Sequence, residues 1–271
     1  MRCGTATLAG RPNVGKSTLL NAILGVKIAI VSDKPQTTRS RILGVRTRPG
    51  AQTLWVDTPG IHQARGRFNR RMVDTAERSI HEADVVVAVV DVESARNGLA
   101  AADRALLAKV AASRRPWLVA LNKIDRRSKS ALLPLLDAVG REFPAIDLVP
   151  VSALEGRNVA ELERAVAALL PPGRAVYPED ELTDQTARAI TQEFIREQVF
   201  GAVRAEIPYQ TAVRIDVFTE KANVNVVSAT ILVERDSQKR IVIGAGGATV
   251  RAIGKRAREE LERFFDKRFY L

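Results

Sequence analysis

The chain has 271 residues, 46% of them hydrophobic and 27% charged, which is enough apolar material for one large core or two ordinary ones. No apolar run reaches membrane-span length, the N-terminus lacks a signal-peptide layout, and Cys3 is the only cysteine. These features argue against an integral membrane protein, a secreted one and a disulfide scaffold, and favour a reducing cytosol. The net charge of +11 points to a polyanionic partner, and it sits unevenly: residues 1–176 hold 27 basic and 16 acidic side chains, residues 177–271 hold 15 of each.

From residue 3 to about 170, apolar runs alternate with amphipathic segments. Strands are predicted at 3–10, 41–47, 52–60, 83–92, 115–125 and 147–154, several of them continuously apolar as in strands covered on both faces. Helical spacing is clearest at 16–25, 98–113 and 158–170. This βαβ rhythm predicts an α/β, doubly wound, mostly parallel sheet. The stretch "LPPGRAVYPEDELTD" (170–184) breaks the rhythm and reads as a linker. Beyond it come a helix over 184–206, strands at 211–221 and 224–235 joined near Ala222-Asn223, a helix over 248–265 and a final "RFYL". The order α-β-β-α-α-(β) suits a small α+β domain. The expected division is 1–172, a linker at 173–182, and 183–271 with its last strand cut short.

The first motif is "GRPNVGKST", running through Gly10, Arg11, Pro12, Asn13, Val14, Gly15, Lys16, Ser17 and Thr18 between a strand and a helix. Its glycine spacing turns backbone N–H groups inward around phosphate oxygens, and the helix dipole adds to the attraction. Lys16 can reach the β- and γ-phosphates, and the Ser17 hydroxyl can ligate Mg²⁺. Downstream, "LWVDTPG" ends a buried strand with Asp57, followed by Thr58, Pro59 and Gly60. The acid can hold a Mg²⁺-bound water and the glycine N–H can meet a γ-phosphate. "ALNKID" supplies Asn122, Lys123 and Asp125. A carboxylate at Asp125 offers two acceptors to the two donors of guanine and rejects adenine, while Asn122 and Lys123 brace the loop and cover the ring. "VSAL" adds Ser152 and the Ala153 N–H, which could reach guanine O6. Together these select GTP/GDP.

In order, "GRPNVGKS", "TTR", "DTPG", "NKID" and "SAL" resemble the five motifs of translation-factor-type GTPases, and "PQTTRSRILGV" is particularly similar to the Era family. The resemblance runs from residue 4 to 271. It implies a P-loop GTPase domain followed by a type II KH domain, and it places the Mg²⁺-completing threonine at Thr38, with Thr37 as the alternative. The implied metal set is Ser17, Thr38 and Asp57, and the groups nearest the chemistry are Lys16, Thr38, Asn13 and Gly60. Ile61 stands where many GTPases place a water-positioning glutamine, which predicts slow hydrolysis. Asn13 has two readings, a K⁺ ligand at the phosphates as in relatives, or simple turn chemistry.

In the second domain, Gly244, Ala245, Gly246 and Gly247 fit the G-x-x-G loop of a KH domain, which lets a nucleic-acid backbone approach between two helices. Lys239, Arg240, Arg251 and Lys255 are the expected phosphate contacts, with a solvated helix face as the plain alternative. Single-stranded RNA is the expected ligand. The family resemblance implies the 3′ region of small-subunit ribosomal RNA, a role in small-subunit assembly, and a cytoplasmic monomer with no transmembrane segment, and it leaves peripheral membrane contact open. An EngA-type GTPase would carry two G domains and no G-x-x-G loop; an RNA-binding module with structural GTP would show no RNA-responsive turnover. His62 and His81 are solitary, Cys3 reads as a small core residue, and Trp55 and Trp117 as core. The segment from Gly60 to Asn69 and the turn at 222–225 are short for the family.

Overall fold

The alternating apolar runs become strands and helices in the order the sequence predicts, in a computed structural model that describes residues 1–271 except 33, 35–36, 40, 62–66, 95–97, 146 and 204–206, and the side chains of 67–69. His62 and most of the short segment after Gly60 therefore lie outside the described residues. The chain divides into two units, one of Met1–Ala29 and Pro35–Asp184, the other of Ile30–Lys34 and Gln185–Leu271.

In the first unit the elements are β1 (Arg2–Gly10), α1 (Lys16–Leu24), β2 (Ile42–Arg48), β3 (Ala51–Asp57), α2 (Arg67–Glu82), β4 (Val85–Asp91), α3 (Ala101–Ala112), β5 (Trp117–Asn122), α4 (Lys129–Glu142), β6 (Leu148–Pro150) and α5 (Val159–Leu169). The sheet order is β2-β3-β1-β4-β5-β6. Only β2 runs antiparallel, against β3. Val85 to Val90 are all buried, which is why β4 reads as an unbroken apolar run. The loops after β1, β3, β5 and β6 leave from the carboxyl ends of parallel strands, where ligands bind in open α/β sheets. Trp55, Trp117 and Cys3 are buried as expected.

Two helices escaped the sequence reading. Among its described residues, the apolar side chains α2 buries are Met72, Ala76 and Ile80, a stripe spaced by four within a largely charged stretch whose polar neighbours obscure it. α4 carries Pro134 in its interior, ordinarily a stop signal. Leu132, Leu135 and Val139 hold it to the core nonetheless.

Residues 173–182 do not hang free. Gln52 Oε1 accepts the Val176 and Tyr177 N–H groups at 2.8 and 3.0 Å, and its Nε2 donates to the Tyr177 carbonyl. The Val45 N–H bonds the Leu182 carbonyl at 2.8 Å, and the Thr183 hydroxyl donates to the Leu43 carbonyl at 2.6 Å. The predicted linker is thus a strap that satisfies the exposed edge of β2, and the boundary falls at Asp184.

The second unit contains α6 (Ala187–Ala202), β7 (Thr211–Glu220), β8 (Val224–Val233), α7 (Asp236–Ile243), α8 (Ala248–Phe265) and β9 (Arg268–Tyr270). β7 and β8 are antiparallel, β8 and β9 parallel. The Lys221 N–H bonds the Val224 carbonyl at 3.0 Å and closes the turn at 222–225. The final strand, expected to be cut short, does form: Arg268, Phe269 and Tyr270 pair with Val224, Asn225 and Val226, and Phe269 is buried in the core with Phe194, Ile215 and Leu261. Segment Ile30–Lys34 belongs here because α6 ends in carbonyls with no intrahelical partner. Lys34 Nζ donates to the carbonyls of Phe200 and Val203, and Glu197 Oε1 accepts the Val31 N–H at 3.0 Å.

Candidate functional site

The phosphate loop leaves β1 at Gly10 and enters α1 through Gly15, which caps that helix with a φ of 95° and no capping side chain, so the first N–H groups of α1 remain for an anion. Lys16 Nζ folds over the loop and donates to the carbonyls of Gly10 and Arg11 at 3.2 and 3.0 Å. The Ile61 N–H donates to the Gly10 carbonyl at 3.0 Å, which lays the end of the DTPG segment across the same loop. A Cβ on Gly60 would stand 2.6 Å from the Pro12 nitrogen, so this crossing admits only glycine. The Thr58 hydroxyl ties the segment to the Leu8 carbonyl at 2.9 Å.

Ser17, Thr38 and Asp57 converge from three separate stretches of chain. Ser17 Oγ lies 2.6 Å from Asp57 Oδ2 and 3.0 Å from Thr38 Oγ1, and Thr38 Oγ1 donates to Asp57 Oδ2 at 3.2 Å. Thr38, not Thr37, is the threonine that meets Ser17 and Asp57. Asp57 is fully buried, and its Oδ1 has no hydrogen-bond partner. A buried carboxylate oxygen without a donor, flanked by two hydroxyls, is a hard-oxygen set that fits Mg²⁺. Burial raises the Asp57 carboxyl above its ordinary range, opposed by the Lys16 charge and by donors from Ser17, Thr38 and Thr58. Burial likewise lowers the Lys16 ammonium, opposed by Asp57. Each group carries a desolvation cost that a phosphate and a divalent cation would relieve.

The base side is built by β5 and the loop after β6. Asn122 Nδ2 donates to the Val14 carbonyl at 2.8 Å, and its Oδ1 accepts the Ala153 N–H at 3.0 Å, so one side chain links the phosphate loop to the SAL loop. The Ala153 N–H, expected at guanine O6, is donated to Asn122 Oδ1 here. Lys123 adopts a left-handed φ of 66° and donates to the Asn13 carbonyl at 2.7 Å and to Asp91 Oδ2 at 2.6 Å. Ser152 Oγ donates to Asp125 Oδ1 at 2.5 Å and holds that carboxylate in place. Asn13 is exposed with a φ of 64°, the turn geometry its sequence allows. The Arg11 guanidinium turns away to buried Asp103 at 3.0 Å, so of Arg11 only the backbone faces the loop. The Ile61 side chain packs onto the apolar core beside β4 and β5.

Asp91 and Asp103 were missed from the sequence. Asp91 ends β4 in register with Asn122, and that shared position at the strand tips was the available signal. Asp103 carried none, because the arginine it holds is 92 residues away.

In the second unit, Gly244 (φ 74°), Gly246 (φ 52°) and Gly247 (φ 79°) form the turn between α7 and α8. A side chain at Gly244 would collide with the Thr249 hydroxyl. Lys239, Arg240, Arg251 and Lys255 are exposed around this turn, Lys255 at 3.9 Å from Glu259. Ile241, Ile243 and Val250 are exposed beside it. The arrangement gives an apolar platform, a backbone turn without side chains, and cations at its rim.

Comparison with known proteins follows the same division. A family model described as a 50S ribosome-binding GTPase matches residues 5–123, and a KH domain model matches 206–271. GTPase Era of Azotobacter vinelandii is 44% identical over 273 residues, covering 100% of this chain and 90% of the relative. GTPase Era of Geobacter metallireducens is 45% identical with the same coverage. Among solved structures, a single-residue variant of Aquifex aeolicus Era bound to GDP·AlF4⁻ superposes with a TM-score of 0.94 at 37% identity, covering 100% of this chain and 92% of that one. An Era complex with MgGDPNP and nucleotides 1506–1542 of 16S ribosomal RNA gives 0.94 at 38% identity with the same coverage. A nucleotide site closed by Asn122 and a glycine turn between α7 and α8 thus occur together in a chain that these relatives match over its whole length, and it belongs to the Era family of GTPases.

Proposed function

We propose that this GTPase is a slow switch that grips the single-stranded 3′ region of 16S ribosomal RNA through its glycine turn and serves assembly of the small ribosomal subunit, acting as a cytoplasmic monomer. The observation that carries the reading is the presence, in one chain, of the Ser17–Thr38–Asp57 cluster and the Gly244–Gly247 turn, in a family with a member solved on such an RNA. The single nucleotide unit and the intact G-x-x-G turn set the EngA type aside.

Asp125 with Ser152 selects the base, the loop N–H groups and Lys16 hold the phosphates, and Ser17, Thr38 and Asp57 would hold Mg²⁺. The metal, when bound, neutralises charge on the phosphate oxygens. Lys16 supplies a second positive charge from a dry site, where it counts for more than in water. No side chain at position 61 orients the attacking water, since Ile61 faces the core. Hydrolysis is accordingly slow, and Asn13 would hold a K⁺ ion that adds charge at the phosphates. Turnover in K⁺ should exceed turnover in Na⁺ at matched ionic strength, and equal rates would leave Asn13 with turn chemistry alone.

The RNA assignment is tested by the double variant Gly244→Asp, Ala245→Asp. Two carboxylates at the turn should abolish binding of a 16S 3′-end oligonucleotide and leave GTP affinity unchanged. A variant that binds the oligonucleotide normally overturns it.

A further inference from the structure

Three arginines on the GTPase unit have no part in the nucleotide site. Arg71 and Arg78 lie seven residues apart on α2, about 10 Å along the helix. With Arg41, which precedes β2, they border a cleft of about 500 Å³. All three are exposed, and none forms an ion pair with a described residue, although Asp74 and Glu82 line the same cleft. Arg11, Arg46, Arg104 and Arg127 of the same unit each have a carboxylate partner. Unpaired guanidinium forks on a fixed helix face present the geometry that takes phosphate oxygens two at a time.

The charge distribution supports the same partner. Residues 1–29 and 35–184 hold 26 basic and 19 acidic side chains, a surplus of +7, while 30–34 and 185–271, with the KH turn, hold 16 and 12, a surplus of +4. Both units therefore attract a polyanion at long range, the GTPase unit more strongly. The cleft also lacks what a single strand needs. Its lining is Arg, Asp, Thr, Ser and Glu, with no aromatic ring on which an unstacked base could rest. The Thr75 and Ser79 hydroxyls donate to the Arg71 and Thr75 carbonyls within α2, so neither has a proton left to read a base.

We propose that the Arg41–Arg71–Arg78 cleft is a second RNA site, separate from the KH turn, which binds the phosphate backbone of double-helical RNA without reading its sequence. The proposal rests on the reading that this chain works on RNA, and its test separates the two. An RNA duplex of about 16 base pairs is titrated against the full chain over a range of KCl concentrations. Arg71→Gln, Arg78→Gln should flatten the slope of log K against log salt by about 2 and weaken duplex binding at every concentration. Binding of the 3′-end oligonucleotide and of GTP should stay as in the parent chain, and Arg71→Lys, Arg78→Lys should restore the slope. The Gly244→Asp, Ala245→Asp variant should lose the oligonucleotide and keep the duplex. An unchanged slope in the double glutamine variant overturns the cleft alone. Failure of the parent chain to bind either RNA overturns both readings. A glutamine variant that keeps the duplex but no longer sediments with small ribosomal subunits would assign the cleft to a protein partner and overturn the proposal. Full displacement of the duplex by millimolar inorganic phosphate at constant ionic strength would make it a small-anion site, with the same consequence.

Discussion

A carboxylate presents two acceptors and guanine two donors, and on the proposed reading one side chain, Asp125, selects the nucleotide. Ser152 fixes its orientation by a 2.5 Å hydrogen bond to Oδ1. Replacing Asp125 with Asn exchanges one acceptor for a donor, removes a charge-assisted bond and sets two donors against each other. The loss should be roughly 3 kcal/mol, or about a hundredfold in GTP affinity. The same amide suits a base with a carbonyl in place of the guanine amino group, so affinity for xanthosine triphosphate should rise. Titration calorimetry with both nucleotides checks this, and an unchanged preference for GTP would remove Asp125 from base recognition. At this scale the sequence was legible wherever a residue belongs to a spaced motif with its own chemistry: Lys16, Ser17, Asp57, Asn122 and Asp125 all came from spacing. Asp103, which holds Arg11 from 92 residues away, did not, because a pair formed by folding leaves no local pattern.

Elements matter through where they end. β1, β3 and β5 stop at Gly10, Asp57 and Asn122, each at the carboxyl tip of a parallel strand on the same edge of the sheet, with β4 between β1 and β5. The sheet therefore brings three motifs together that are 47 and 65 residues apart in sequence. The crossing of the β3 loop over the phosphate loop is the tightest joint. Gly60→Ala would push a methyl group to 2.6 Å from the Pro12 nitrogen, so the two loops must part. Overpacking of this kind costs about 1–3 kcal/mol, and here it should be paid in GTP turnover, about tenfold or more, with β-sheet stability little changed. Turnover and thermal melting measured together test it; full activity in the variant would mean the loops move freely. Strands with unbroken apolar runs were visible in the sequence because burial on both faces demands them. α2 and α4 were hidden, one by a charged surface around a three-residue stripe, the other by Pro134, since packing overrode the local signal in both.

The whole molecule departs most from a reading by segments. Proline and acid content marked 173–182 as a linker, yet its backbone groups satisfy Gln52 and the edge of β2. Ile30–Lys34, which precedes Thr38 by a few residues, is grouped with the KH unit by bonds to the end of α6. Composition cannot show either contact, because both depend on which carbonyls folding leaves without partners. The basic surplus was legible but its division was not: four acids of 177–184 fold with the GTPase unit, which leaves that unit at +7 and the unit with the glycine turn at +4. Three residues of β9 pair with β8 in the KH unit's sheet. The central claim is that these two units form one RNA-responsive timer. Its most direct test is the steady-state GTPase rate of the intact chain in K⁺ buffer, with and without an oligonucleotide of the 16S ribosomal RNA 3′ end. The account predicts a slow rate that changes severalfold with the oligonucleotide in the parent chain and stays flat in the Gly244→Asp, Ala245→Asp variant; a parent rate indifferent to RNA that demonstrably binds would contradict it.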